Sequence, residues 1–442
     1  MLSGAFMKSQ LILVSTRLPI TVSKKDGKLV YAQSSGGLAT ALSSSSLRKN
    51  TTWVGWPGIA SDQLTAVDKR EISAELAKLC CKPIFLTQNQ IDLFYSGYSN
   101  ATLWPMFHYF PNRTKFEHEF WDMYRLVNGL FSNEVRRIAS DTATIWVHDY
   151  QLMLLPQALR KHIPTSRIGF FLHTPFPSYE IFRLIPERKQ LLDGLLGADL
   201  VGFHTYDYVR HFLSSIQRIT GRNNTLGTIK ISGRLVKTDA FPIGIDYKKF
   251  SKNSKKRAVK NILKSFHLFN ETTKVILSVD RTDYTKGIPE RLSAYELFLH
   301  NNPEYIGKIV LILCAIPTRE GIAEYDELRR TIEQKVSRIN GQFSTVDWAP
   351  IIYKYQHTPF DELSALYSLA DIMLVTPLRD GMNLVAKEYV AAKHHDSGVL
   401  ILSEMTGVAT EFPEAVLVNP NDTVSIAKAI ETALEMPKNE QK

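Results

Sequence analysis

Cysteine is scarce: Cys80, Cys81 and Cys314 are the only three in 442 residues, and none has a metal-ligand spacing. That excludes a disulfide scaffold and a thiolate zinc site, and it fits a reducing compartment. No apolar run reaches membrane-spanning length. The opening residues 1–6 are too few for a signal peptide, and Leu11–Val14 already reads as a strand, so the cytoplasm is the expected location, with Met7 an alternative start. There is no GxxxxGK[ST] and no GxGxxG, which excludes a P-loop and a dinucleotide fingerprint. No DxD-type carboxylate pair stands at a suitable loop, so the sequence offers no metal site. The basic excess (53 Lys+Arg against 44 Asp+Glu, net +9) is dispersed, and its densest cluster is Lys252–Lys264. Nucleic acid needs a concentrated basic face, so it is not expected as a partner. Acidic small substrates fit the same charge, and so do solvated lysines.

What is present is a βα rhythm. Hydrophobic content of 44% with 22% charged residues is ordinary globular composition, and 442 residues exceed one core. Short β-rich runs recur at Gln10–Ser15, Thr52–Trp56, Ala143–His148, Ile168–His173, Leu200–His204 and Phe241–Asp246. A second series runs through Lys274–Val279, Ile309–Ala315, Ile351–Tyr355, Ile372–Val375 and Val399–Leu402. Helical patterns separate them, which predicts α/β structure with helix-covered parallel sheets. The polar, Lys-rich stretch 246–273 lacks β signal and reads as a hinge, giving domains at 1–246 and 247–442.

In such sheets ligands bind beyond the carboxyl ends of strands. Asp149 and His173 stand at such ends; His148 reads as a loop or backbone ligand, and His204 has no evident partner. Ser34–Leu42 reads as a Gly36-Gly37 turn opening a helix. Leu93–Phe110 is dense in aromatics, mostly core, with Tyr95 and Trp104 as candidate sugar-stacking groups. Arg281 and Lys286 at one strand end can grip a diphosphate, and Pro317-Thr-Arg319 puts another arginine after a strand. Finally, Leu374–Val390 reads as a strand, a polar Gly-containing turn and a helix start, with Asp380 in the turn and Glu388 further on. A helix N-terminus there suits an anionic ligand. An ordinary βα turn with solvated charges would account for this stretch equally well.

Several motifs in this order carry a resemblance. They are Val14-Ser-Thr-Arg-Leu-Pro19, Gly36-Gly-Leu-Ala39, Trp53-Val-Gly-Trp56, Asn100-Ala-Thr-Leu-Trp-Pro105 and Trp146-Val-His-Asp-Tyr150. Gly169-Phe-Phe-Leu-His-Thr-Pro-Phe-Pro177, Phe241-Pro-Ile-Gly-Ile245, Asp283-Tyr-Thr-Lys-Gly287 and Arg379-Asp-Gly-Met-Asn-Leu-Val-Ala-Lys-Glu-Tyr389 complete the set. Together they resemble the trehalose-6-phosphate synthase family of retaining glucosyltransferases over nearly the whole chain.

The resemblance implies a GT-B fold, two Rossmann-like domains with parallel sheets facing a central cleft. It implies glucose transfer from a nucleotide-glucose, usually UDP-glucose, to glucose 6-phosphate, with no cofactor or essential metal and with a homo-oligomer left open. On the donor side, Arg281 and Lys286 resemble the diphosphate ligands and Asp380 the ligand of the glucose hydroxyls. Gly37 belongs to the same set. Backbone at Met382, Asn383, Leu384 and Val385 should meet sugar and phosphate, Glu388 resembles the ribose ligand, and His173 stands near the reacting centre. On the acceptor side, Arg17, Trp56, Tyr95, Trp104, Asp149 and Arg319 resemble the glucose 6-phosphate site, with Arg17, Tyr95 and Arg319 the phosphate candidates. The family route is front-face attack with the leaving phosphate as base, which makes Asp380 a sugar ligand rather than a nucleophile.

Three departures stand out. Thr16 replaces a usual asparagine, Gln356-His-Thr-Pro-Phe360 departs at a nucleotide-base position, and members usually continue past the position of Lys442 with a further helical segment. The alternatives are a relative with another acceptor (glycerol 3-phosphate or a cyclitol) and a regulatory sugar-phosphate-binding homologue.

Overall fold

The computed structural model describes residues 9–33, 51–266, 273–319, 322–393 and 397–441. Gly37, with the rest of the Gly36-Gly37 turn and the serine patch after it, lies outside the described residues. The chain divides into two units, Met1–Ile243 and Gly244–Lys442.

In the first unit the strands are β1 (Ser9–Arg17), β2 (Ile20–Lys25), β3 (Lys28–Gln33), β4 (Thr51–Trp56), β5 (Cys81–Pro83) and β6 (Ala139–His148). They continue as β7 (Arg167–Phe171), β8 (Leu200–Phe203), β9 (Asn224–Thr225), β10 (Thr228–Ile231) and β11 (Arg234–Ala240). Nine of these form one sheet in the order β5-β4-β1-β6-β7-β8-β11-β10-β9. The run from β5 to β11 is parallel, whereas β10 pairs antiparallel with both β11 and β9. β2 and β3 make a separate antiparallel hairpin.

The second unit has β12 (Lys274–Arg281), β13 (Ile309–Ile316), β14 (Ile351–Tyr355), β15 (Ile372–Val375), β16 (Val399–Ser403) and β17 (Val416–Val418). Their order is β14-β13-β12-β15-β16-β17, with every pair parallel. The second sheet runs 3-2-1-4-5-6 in chain order, the doubly wound order of a Rossmann fold, and so do the six strands from β5 to β8 of the first once the β2–β3 hairpin is set aside. Strand order reverses beside β1 and β6 in the first unit and beside β12 and β15 in the second. At such a switch point the connections leave in opposite directions and open a crevice at the carboxyl ends.

The strands form because their residues are buried on both faces. β13 is buried at seven of eight positions and β15 at all four. In the second unit, Ile276, Leu311 and Leu374 pack with Phe298, Ile332 and Ile430 from the covering helices. Burying a Leu, Ile or Phe side chain is worth ~1.5–3 kcal/mol each, so this cluster fixes the register of the strand ends.

Three expectations from the sequence change. The stretch 246–273 holds helices Tyr247–Asn253 and Arg257–Ser265, which pack on the second unit's helices Leu384–Ala392 and Phe360–Leu369. Periodicity at Val259 and Ile262 outweighs the lysines, and the boundary falls before this stretch at Ile243 rather than after Asp246. Next, β1 runs through Arg17 instead of ending before it, with a register shift between Val14 and Arg17. Finally, the β2–β3 hairpin and the β9–β11 meander add antiparallel strands. Asp26 and Gly27 both have positive φ (49° and 76°), the two-residue turn that an Asp-Gly pair favours.

Gly287 shapes the loop after β12: its φ is +63°, and a Cβ there would lie 2.6 Å from the Thr376 carbonyl oxygen. Gly287→Ala should therefore lower stability by about 1–3 kcal/mol in urea titration. Gly341, inside the helix Ala323–Phe343 with open space around it, provides the contrast. Gly341→Ala should raise stability by about 0.5–1 kcal/mol.

Candidate active site

In the second unit the switch point carries a compact polar group. β12 ends at Arg281, which is exposed, and the chain turns through Asp283–Lys286. The buried Asp283 carboxylate closes the turn by accepting from the Thr285 N–H (3.0 Å) and Thr285 Oγ1 (2.9 Å). The loop after β15 docks on it, the Leu378 N–H donating to the Thr285 carbonyl at 2.8 Å. Asp380 is thereby brought to Lys286, whose Nζ donates to Asp380 Oδ2 at 2.5 Å. Asn383 Nδ2 donates to the same oxygen at 3.1 Å.

Asn383 also caps the helix Leu384–Ala392: its φ is +70° and its side-chain oxygen accepts from the Ala386 N–H. The strand, turn and helix start expected from the sequence are all there. Met382 and Asn383 are buried at that helix start, with Leu384 and Val385 half-buried. Farther along the helix, Glu388 Oε2 accepts from Tyr367 Oη at 2.8 Å. Burial raises the Glu388 carboxyl to about 7, against the opposing pull of Tyr367 and Lys249.

Arg319 belongs to this unit as well. It pairs with Asp283 Oδ2 at 3.2 Å and with the Tyr325 hydroxyl, with a φ of +50°. The Arg319 and Arg281 guanidiniums hold the Asp283 carboxyl below the usual range, although burial alone would raise it. Arg319 thus shares a carboxylate-bearing turn with Lys286.

The first unit has its own constellation, again at the switch point. Arg17 ends β1 and Trp56 ends the neighbouring β4, in register. The guanidinium lies 4.6 Å over the Trp56 ring, a cation–π contact, and Arg17 Nη2 donates to Thr21 Oγ1. Tyr95 meets Trp56 edge-on at 5.8 Å, so Arg17, Trp56 and Tyr95 form one group. Tyr95 rides on a π-helix, Ile91–Leu103, a rare winding often found at functional sites. Trp104, immediately after it, is buried against His108 and Tyr150. Most of the Trp104 ring therefore serves as core.

Asp149, just past β6, has a φ of +75°, a strained backbone for a non-glycine residue. Its Oδ1 accepts from the His173 N–H at 3.2 Å. His148 Nδ1 lies 3.1 Å from His173 Nε2, and the His204 ring meets His173 edge-on at 5.5 Å. His148 therefore bonds another side chain, not the loop backbone, and His204 gains partners in His173 and Phe171. Burial lowers His148 to about 3, and burial with His148 and His204 nearby holds His173 well below the usual histidine range. His148 and His173 are therefore neutral at pH 7, so they can orient hydroxyls but supply no positive charge. The signal for this row was in the sequence: three successive β-runs each end in histidine.

Two successive doubly wound units, one presenting a lysine and carboxylates at its switch point, define a nucleotide-sugar transferase of the GT-B class. Residues 9–442 match glycosyltransferase family 20, and the chain belongs to that family. It is 45% identical to alpha,alpha-trehalose-phosphate synthase [UDP-forming] of Candida albicans over 98% of this chain and 92% of that protein. The 56 kDa subunit of the Saccharomyces cerevisiae enzyme is also 45% identical, over 97% and 87%. Among solved structures, a Burkholderia xenovorans alpha,alpha-trehalose-phosphate synthase in complex with glucose-6-phosphate superposes with a TM-score of 0.85 at 34% identity, covering 98% of this chain and 93% of that one. An E. coli structure bound with UDP-2-fluoro glucose gives 0.86 at 34%, with the same coverage. No described helix is long and apolar enough to cross a membrane.

Glu388 supplies a pH test. Its folded pKa, about 7, exceeds its ordinary 4.5, so the folded state holds the proton longer than the unfolded chain. The stability this gives is complete below pH 4.5 and is lost as pH rises through 7. Glu388→Gln should be more stable than the parent at pH 8 by about 2–3 kcal/mol and nearly equal to it at pH 4.5, by urea titration.

Proposed function

We propose that the protein transfers glucose from UDP-glucose to glucose 6-phosphate, with retention, giving trehalose 6-phosphate and UDP. The observation that carries this reading is the Lys286–Asp380 pair at the switch point of the second unit. In the transfer, the bond from glucose C1 to the β-phosphate oxygen breaks and the electron pair leaves with UDP. Lys286 and Arg281 stabilise the charge that develops on the leaving phosphate. Asp380, hydrogen-bonded by Asn383 as Lys286 turns to the diphosphate, accepts hydrogen bonds from glucose hydroxyls. The acceptor hydroxyl attacks from the face that UDP leaves, and its proton passes to the leaving phosphate. Glu388, held from behind by the buried Tyr367 hydroxyl, suits the two hydroxyls of a ribose.

On the first unit, Arg17, Trp56 and Tyr95 combine a cation, the aromatic ring that holds it and a second ring with a hydroxyl, a set suited to a sugar phosphate. Asp149 and the neutral His173 are the hydroxyl ligands beside them. Arg319 is the cation that the second unit offers to the acceptor phosphate. We read the reaction as needing no metal, because protein cations take the charge a metal would otherwise carry. The reading gives nucleic acid no role, since the lysines of 252–264 are spread over two short helices and the turn between them. Three free cysteines, one exposed, support a reducing compartment such as the cytoplasm.

Incubation of UDP-glucose with glucose 6-phosphate should release UDP in step with trehalose 6-phosphate, with ADP- and GDP-glucose assayed alongside for release of their own nucleotides. Absence of acceptor-dependent nucleotide release with every donor contradicts the reading. Lys286→Ala should lower kcat by about 100-fold or more. Arg319→Ala should chiefly raise the KM for glucose 6-phosphate, by roughly tenfold. A change confined to the donor KM would instead assign Arg319 to the diphosphate, where its contact with Asp283 also leads.

A further inference from the structure

Beneath the Lys286 turn lies a second cation that no sequence reading singled out. Arg291, on the first turn of the helix Ile288–Asn301, has a side chain with 0% exposure, the largest fully buried side chain described. Every arm of its guanidinium is used. Nη1 donates to Asp280 Oδ2 at 2.7 Å and to Ser278 Oγ, both on β12. Nε donates to Thr376 Oγ1 at 2.9 Å, just past β15. Nη2 donates to the main-chain carbonyl of Lys286 at 3.0 Å. One side chain therefore ties together both strands of the switch point and the turn that presents Lys286.

The charges matter as much as the bonds. Asp280 is a buried carboxylate within the field of both Lys286 and Asp380. With Arg291 in place, Asp280 has its own counter-ion. Without it, a buried unpaired carboxylate would compete for the nearest cation, the Lys286 ammonium.

We propose that Arg291 is a positioning residue for donor binding: it fixes the Lys286 turn through its carbonyl and occupies Asp280, leaving the Lys286 ammonium to Asp380 and the incoming diphosphate. This rests on the assignment of Lys286 to the donor diphosphate. The arrangement differs from ordinary core packing because its consequence falls on one substrate and depends on charge balance. Neutralising Asp280 should relieve part of the loss of Arg291.

The test compares the parent with R291M, R291K and R291M/D280N, reading kcat/KM for UDP-glucose, the KM for glucose 6-phosphate and Tm. R291M should lose about 100-fold in kcat/KM for UDP-glucose, with the glucose 6-phosphate KM within twofold of the parent. R291M/D280N should recover about tenfold of that loss. R291K keeps the charge but not the reach of the fork, and should lose about tenfold. If R291M does not fold, R291K and the charge-balanced double variant carry the comparison. R291K at parental donor kcat/KM overturns the proposal, as does equal loss on both substrates, a double variant no better than R291M, or failure of all three variants to fold. A parent protein with no UDP-glucose reaction contradicts the donor assignment itself, whereas an active parent with unaffected variants contradicts only the role of Arg291.

Discussion

A lysine ammonium and an aspartate carboxylate, 2.5 Å apart at the ends of two adjacent strands, set the chemistry of the second unit. Side-chain exposures of 12% and 15% leave the pair partly in contact with water. Such a pair adds little to stability, because desolvation offsets most of the attraction. Its value lies in position. Lys286 and Asp380 stand where the strand order reverses, and each can exchange its partner for a ligand group of the same charge or polarity. A diphosphate can take the lysine while sugar hydroxyls take the aspartate, so a nucleotide sugar satisfies both at once.

The first unit uses the same strand order with different side chains. Arg17 ends β1 and Asp149 follows β6, much as Lys286 and Asp380 follow β12 and β15. Burial keeps His148 and His173 uncharged, which leaves Arg17 as the cation of its aromatic group. The half suited to a leaving diphosphate thus concentrates lysine and arginine. The other half combines a single arginine with aromatic faces, a carboxylate and neutral imidazoles, a mixture suited to a sugar phosphate.

How much of this was legible in the sequence depended on how local the signal was. The strand, turn and helix around Asp380 could be read from apolar spacing, because that pattern is set within a dozen residues. The Asp26-Gly27 hairpin was equally local and went unread, since β2 and β3 are half polar. The β9–β11 meander hid for a related reason: β9 and β10 have only two and four residues, of which Ile229 alone is buried. Long-range partners were not legible at all. Lys286 and Asp380 are 94 residues apart, and their meeting depends on β15 lying beside β12 rather than beside its predecessor β14. Arg291 looks in sequence like a charge on the outer face of a helix. Only the sheet order turns that face toward Ser278 and Thr376. The histidine row is intermediate: each member ends a readable strand, but their adjacency is a property of the sheet.

The central claim is that the Lys286–Asp380 pair is the donor site and opens for its ligand. A crystal structure with UDP-2-fluoroglucose tests it most directly. The account predicts the pair separated, with Lys286 Nζ on a β-phosphate oxygen and Asp380 on the sugar hydroxyls. A donor bound with the 2.5 Å pair intact and both side chains away from it would contradict the account.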